Sequence, residues 1–101
     1  MSTDWKSEHD RRVAAMPSDV RAAHAHSSNH RAEIDASALC GCFYCFAIFR
    51  PGDIRDWIDE GPDGLGRTAL CARCGIDSVI GDRSGYPISE DFLRKMGAHW
   101  F

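Results

Sequence analysis

Four cysteines in two closely spaced pairs are the residues of this chain best suited to chemistry. Each pair has two residues between its thiols, and 25 residues separate the pairs, which are Cys42 with Cys45 and Cys71 with Cys74. This gap lets a tight turn direct both thiolates at one ion while backbone N–H groups donate to the sulfurs. Four thiolates leave no open coordination position, which is typical of a structural site. The sequence therefore predicts one structural Zn²⁺.

The residues around the pairs refine this prediction. Gly75 directly follows the second pair, where such a turn often needs a positive φ. Iron in the same geometry and two unrelated thiol pairs are the alternatives. The fifth cysteine, Cys40, is expected to be a buried apolar residue outside the site. It could instead replace Cys42 as a ligand or act as a redox-responsive thiol.

Length and composition limit the class of protein. A chain of 101 residues, 44% of them hydrophobic, suffices for one domain with a modest core, often stabilised by a metal or disulfides. No apolar run approaches the ~20 residues of a membrane span, and the first residues lack the apolar stretch of a signal peptide. We therefore expect a cytoplasmic protein. In that compartment an odd count of five cysteines favours metal ligands over disulfides.

The charge disfavours nucleic acid as a partner. The net charge is −3, and acidic residues outnumber basic ones in both residues 1–38 and residues 39–101. Phosphate contacts supply much of the affinity of nucleic-acid binders, and no basic stripe is visible. A protein or a small molecule is the expected ligand, and the sequence does not determine the oligomeric state. A local basic patch is an alternative, from Arg11, Arg12, Arg21 and Arg31.

Helices are predicted before the first cysteine pair and between the pairs. One is expected from Thr3 to about Met16, a second from Ser18 as N-cap to about His24, and a third from Ser27 or Ser28 to Ala36. Between the pairs, apolar residues recur at i, i+3 and i+4 before a glycine, which predicts a helix that would account for the long spacer. These residues are Ile54, Trp57, Ile58 and Gly61.

The C-terminal residues predict a final helix. Ser89 is the expected N-cap, and Phe92, Leu93 and Met96 are expected to face inward. The aromatic ending, residues 99–101, is expected to pack on the core.

The predicted fold is α+β, a small zinc-stabilised domain of treble-clef or zinc-ribbon character. Residues 1–38 would form a helical N-terminal segment and residues 39–101 the four-cysteine zinc domain, within one folding unit. The sequence leaves open whether residues 75–79 leave the zinc as a strand, as in a ribbon, or as a helix, as in a treble clef.

A polar run before the first pair is a candidate binding segment. If it is helical, His26 and His30 share one face, and imidazole titrates near neutral pH, so a second metal site or an acid–base pair is one interpretation. The other interpretation is a polar helix junction. The candidate binding residues are His26, Ser27, Ser28, Asn29, His30 and Arg31.

Asp77 and Ser78 directly follow the second cysteine pair. If they face His26 or His30 across a cleft, the set contains the parts of a hydrolytic site. Because no G-x-S-x-G elbow surrounds Ser78, a structural role is the preferred interpretation.

The cysteine pairs resemble a known class of zinc turn. Residues 42–45 and 69–74 are similar to the two zinc knuckles of treble-clef fingers, including those that brace HNH endonucleases. In those enzymes a histidine between the knuckles activates water and helps to hold a magnesium-type ion. Residues 46–70 contain no histidine, so the resemblance does not imply nuclease activity.

A broader resemblance covers residues from about 26 to the C-terminus. The strings at residues 26–31, 40–45, 74–81 and 85–88 resemble a group of small bacterial proteins of unassigned function, usually described as cytoplasmic. The resemblance implies a cytoplasmic zinc-binding protein and no particular mechanism.

Two functions follow as hypotheses. The first is a non-enzymatic binding or adaptor module, in which zinc fixes the scaffold and residues 26–31 with the loop after Cys74 present a surface. The second is a small hydrolase or nuclease-like enzyme that uses His26, His30 and Asp77. The closed cysteine site, the acidic charge and the missing histidine favour the first.

Overall fold

The computed structural model describes residues 17–101, which form an α+β arrangement of short elements. The first predicted helix, from Thr3 to about Met16, lies outside these residues. The helices are α1 (Ser18–His24), α2 (Arg31–Ala36) and α3 (Glu90–Trp100). The strands are β1 (Cys40–Cys42), β2 (Ile48–Phe49), β3 (Trp57–Glu60), β4 (Gly66–Ala69) and β5 (Val79–Gly81). No helix within this part of the chain is long and apolar enough to cross a membrane.

The strands form two antiparallel sheets whose ends meet at the cysteines. One sheet has the order β2-β1-β5 and the other is the hairpin of β3 and β4. In the first sheet Cys42 pairs with Val79 and Cys40 with Gly81, and both β1 and β5 are buried along their whole length. Cys42 therefore ends a buried strand of one sheet, while Cys71 follows the last strand of the other.

The helices α1 and α3 cover one side of the first sheet. Phe92, Leu93 and Met96 face inward as predicted, and the Ser89 hydroxyl accepts a hydrogen bond from the Phe92 N–H at 3.3 Å, so the predicted N-cap is confirmed. A Cβ at Gly41 would lie 2.7 Å from a Leu93 methyl carbon, which shows how closely α3 packs on β1. The buried core on this side consists of Val20, Ala23, Phe43, Ile80, Phe92, Leu93 and Met96.

The aromatic C-terminus packs on the core only in part. The Trp100 ring stacks on His24 with 3.8 Å between centroids, and its indole N–H donates to the Val20 carbonyl. Phe101 is 64% exposed and touches the Tyr44 ring edge-on. The expectation of inward packing is thus right for Trp100 and wrong for Phe101.

The helix predicted from Ile54 to Gly61 is wrong. Trp57–Glu60 is strand β3, with Trp57 opposite Ala69 and Ile58 opposite Thr68. Ile54 is buried but Ile58 is 39% exposed, so these apolar residues do not form one helical face. The spacing matched a helix by coincidence, and pairing with β4 decided the local structure. A β-hairpin, and no α-helix, therefore fills the long spacer between the cysteine pairs.

The N-terminal helices begin differently from the prediction. Helix α1 ends at His24 as expected, but Pro17 holds the N-cap position in place of Ser18. Residues Ala25–Ser27 form one 3₁₀ turn, and α2 begins only at Arg31. The break has a local cause, because Ser28 is extended and Asn29 has a φ of 48°.

Candidate metal centre

The structure brings together the four cysteines that the spacing singles out. Their Sγ atoms all lie within 4.8 Å of one another, close enough to hold one metal ion. Two of these separations cross from one pair to the other: 3.7 Å between Cys42 and Cys74, and 3.6 Å between Cys45 and Cys71. Cys42 and Cys71 are buried, whereas Cys45 and Cys74 are half-buried. The two turns therefore face each other across one potential metal site.

The first cysteine pair forms a tight turn between β1 and β2. The Cys42 N–H donates to the Ala47 carbonyl at 3.0 Å, and the Phe46 N–H donates to the Cys42 carbonyl at 2.9 Å. The N–H groups of Tyr44 and Cys45 point at the Cys42 sulfur, at 3.3 and 3.4 Å. The turn closes through Phe46, whose φ is 66°. These donors stabilise negative charge on the Cys42 sulfur.

The second pair repeats this geometry. The Cys71 N–H donates to the Ile76 carbonyl at 2.9 Å, and the Gly75 N–H donates to the Cys71 carbonyl at 3.0 Å. The N–H groups of Arg73 and Cys74 point at the Cys71 sulfur, at 3.3 and 3.4 Å. Gly75 has a φ of 78°, as the sequence predicts for the residue after the pair. Two turns of one design thus enclose the site from opposite sides.

Ser78 adds a donor that the sequence did not reveal. Its side chain is 1% exposed, and its hydroxyl lies 3.0 Å from the Cys42 sulfur. Its carbonyl accepts the Phe43 N–H at 2.9 Å, which fixes the serine against the first turn. The hydroxyl therefore serves the cysteine site and is not turned toward a histidine.

The thiol pKa values differ within the site. Burial raises the pKa of Cys74 to about 12 and also raises the pKa of Cys45. Burial acts in the same direction on Cys71, but the N–H groups of Cys74 and Arg73 lower the pKa of that thiol below its usual value. Thiolates and not thiols bind metal, so metal binding at this site must release protons.

Cys40 lies outside the group of four. It is completely buried in β1, and burial together with the nearby Asp82 carboxylate raises its pKa to about 12. A thiol in this position is neutral and is enclosed by protein. Cys42, and not Cys40, is therefore the first cysteine of the group of four.

His30 is engaged by the backbone on both sides of its ring. The side chain is 4% exposed, its Nδ1–H donates to the His26 carbonyl, and its Nε2 accepts the Ala69 N–H at 3.0 Å. Its own N–H donates to the Arg67 carbonyl at 2.8 Å. His30 therefore fixes the polar run against β4 and has no ring nitrogen left for a substrate or a metal.

The residues on either side of His30 extend this attachment. The Asn29 N–H donates to the Thr68 hydroxyl at 2.8 Å, and that hydroxyl donates to Asp59 at 2.7 Å. The Arg31 guanidinium donates to the Gly66 carbonyl at 2.7 Å and lies 4.3 Å from the centre of the Trp57 ring. Much of this polar run thus covers the edge of β4.

His26 has a partner that the sequence did not suggest. Its Nδ1 lies 3.0 and 3.1 Å from the two carboxylate oxygens of Glu33. The pair borders a cavity of about 270 Å³ between the 3₁₀ turn and α2. This cavity is lined by Ala25, His26, Ser28, Asn29, His30, Ala32 and Glu33.

The proposed hydrolytic set is not assembled. Asp77 is exposed, and its charge acts on His24, where it opposes the lowering of the pKa that burial causes. Ser78 faces Cys42, and His30 is bound to backbone groups. Apart from the four cysteines, residues 17–101 contain no group of three or more His, Cys, Asp or Glu side chains close enough to hold a metal. The second metal site considered at the histidines is therefore not formed.

No protein-family model, curated protein or solved structure matches this chain.

Proposed function

We propose that this is a cytoplasmic zinc-binding protein in which Cys42, Cys45, Cys71 and Cys74 hold one structural Zn²⁺, and that the resulting scaffold acts as a binding or adaptor module. The sulfur geometry is the observation that carries the proposal. Zn–S bonds of ~2.3 Å in a tetrahedron place the sulfurs about 3.8 Å apart. The separations of 3.6 and 3.7 Å between the two pairs match this value and are far longer than the ~2.05 Å of a disulfide.

The ligand type supports zinc among the metals. Four thiolates suit Zn²⁺, Cu⁺ or iron–sulfur chemistry, and exclude ions such as Mg²⁺ that prefer oxygen. A tetrahedral set of four thiolates is a common structural zinc site. It also leaves no position for water, so the ion has no direct role in hydrolysis.

The position of the site explains what the ion would do for the fold. The first turn joins β1 to β2, and the second lies between β4 and β5, so one ion connects both sheets. The chain leaves the second turn toward strand β5, which favours a ribbon-like description over a treble clef. Small domains gain much of their stability from such ions, with apparent values of ~10–16 kcal/mol in zinc-finger peptides.

The binding role rests on the cavity beside His26 and Glu33, which lies on the segment that the sequence marks as a binding surface. The alternative of a hydrolase or nuclease-like enzyme gains no support, because Asp77 does not line the cavity that His26 and His30 border and both His30 ring nitrogens are bound to the backbone. The proposal includes a protein or small-molecule ligand, with nucleic acid disfavoured by the net charge of −3. It agrees with the resemblance to small bacterial cytoplasmic proteins.

Matched cysteine variants test the zinc assignment. Elemental analysis of the purified protein should give one zinc per chain for the wild type and for the control Cys40→Ala. The variant Cys45→Ser should lose most of its zinc and unfold at a lower temperature, because a three-thiolate site binds zinc more weakly. Wild-type protein without zinc would overturn the proposal, as would equal zinc loss in Cys40→Ala and Cys45→Ser.

A further inference from the structure

We propose that the cavity beside His26 and Glu33 binds a small molecule through a protonated primary amine. This inference rests on the proposed function, since it names the chemical class of ligand that the binding module takes. The cavity opens to solvent between the 3₁₀ turn Ala25–Ser27 and the first turn of α2. The residues that join these two elements, Asn29 and His30, are hydrogen-bonded to Thr68 and Ala69 of β4.

The ionisable pair that borders the cavity offers hydrogen-bond acceptors to a ligand. When the Nδ1–H of a neutral His26 donates to Glu33, the Nε2 atom of the same ring is an acceptor. The Glu33 carboxylate accepts further bonds through its other lone pairs. The side chains of Ser28 and Asn29 also line the cavity, and each carries an acceptor oxygen beside its own donor hydrogens. A ligand rich in N–H donors fits this set.

The charge of the cavity selects a cation. Among residues 17–101, Glu33 is the only acidic residue that lines the cavity, and no Lys or Arg of this part of the chain lines it. The nearest guanidinium in sequence, that of Arg31, is bound to the Gly66 carbonyl and lies over the Trp57 ring. An anion would therefore meet the Glu33 carboxylate without a compensating positive side chain. A primary ammonium carries one positive charge and three donors, which matches the carboxylate and the surrounding acceptors.

The size of the cavity limits the ligand. A volume of about 270 Å³ lies just below the ~300–1,000 Å³ of typical ligand pockets, so the occupant is small. Ala25 and Ala32 provide short apolar walls beside the polar groups. An alkyl chain of a few carbons that ends in an ammonium group can contact the apolar walls with its carbons and the polar groups with its N–H donors.

Titration of the zinc-loaded full chain with n-butylammonium chloride tests the inference. We expect saturable shifts of the amide resonances of Ala25, Asn29 and Ala32, which line the cavity, in ¹⁵N correlation spectra. The neutral isostere n-butanol and the anion butyrate should give no saturable shift. Glu33→Gln should weaken binding at least tenfold, while Asp35→Asn, on the same helix but outside the cavity, should leave it unchanged.

The outcomes separate this inference from the proposed function. Zinc content is measured on the same samples, so a protein with one zinc per chain that shows no saturable ammonium binding overturns the inference alone. Equal binding by wild type and Glu33→Gln, or stronger binding of butyrate, also overturns it. If Glu33→Gln fails to fold, His26→Gln provides the second test and should weaken binding about fivefold or more. If His26→Gln binds n-butylammonium as tightly as the wild type, the cavity is not the ammonium site.

Discussion

Replacing Ser78 by alanine should weaken zinc binding without dismantling the fold. The hydroxyl lies 3.0 Å from the Cys42 sulfur in a fully buried position, so water cannot replace it as a donor. A hydrogen bond to a charged group contributes ~1.5–3 kcal/mol, which corresponds to a loss of affinity of about 10- to 150-fold. Loss of outer partners of metal ligands typically costs ~10–100-fold. We therefore expect Ser78→Ala to bind zinc about 10- to 100-fold more weakly.

Competition with a chromogenic chelator measures this affinity, and Ser37→Ala is the matched control. Ser37 is also a buried serine, but its hydroxyl donates to the Glu33 carbonyl at 2.8 Å and touches no sulfur. Ser37→Ala should lower thermal stability and leave zinc affinity within about twofold of the wild type. If Ser78→Ala binds zinc as tightly as the wild type, or if both variants weaken binding equally, the assigned role of Ser78 is wrong.

Two further predictions concern stability. In zinc-loaded protein, protonation of the cysteine ligands lowers stability as the pH falls. Burial lowers the pKa of His24 and His30, so the unfolded state takes up protons on these residues first, which adds a further fall in the free energy of unfolding below about pH 6.5. His24→Phe keeps an aromatic ring and should reduce this fall in denaturant titrations, and an unchanged pH profile would contradict the explanation. A Cβ at Gly66 would lie 2.5 Å from the Trp57 Cβ, so Gly66→Ala should destabilise the protein by ~1–3 kcal/mol. Gly52→Ala, with no atom within 4 Å of its Cβ, should be neutral, and equal denaturation midpoints for the two variants would refute the packing argument.

Structural features that depend on neighbouring residues could be predicted from the sequence. The two-residue gap within each cysteine pair fixes a turn of a few residues, and the preference of one ion for four thiolates predicted that the two turns would meet. Helix α3 was equally predictable, because Ser89 caps it and its apolar residues share one face.

Long-range contacts account for what the sequence did not reveal. Strand β3 exists because Trp57 and Ile58 pair with β4, and this pairing overrode a helical spacing. Ser78 reaches Cys42 across 36 residues, and His30 reaches Ala69 across 39, so neither partner could be read from neighbouring residues. The hydrogen bond between His26 and Glu33 spans a helix break at the extended Ser28 and the positive φ of Asn29, which no simple periodicity anticipates.

X-ray absorption at the zinc edge, on protein purified without added metal, identifies both the ion and its ligands. We expect one zinc per chain, surrounded by four sulfur atoms at ~2.3 Å and by no nitrogen or oxygen ligand. A first shell that contains histidine nitrogen or water oxygen, or an absorption edge of another metal with no zinc signal, would contradict the four-cysteine structural site.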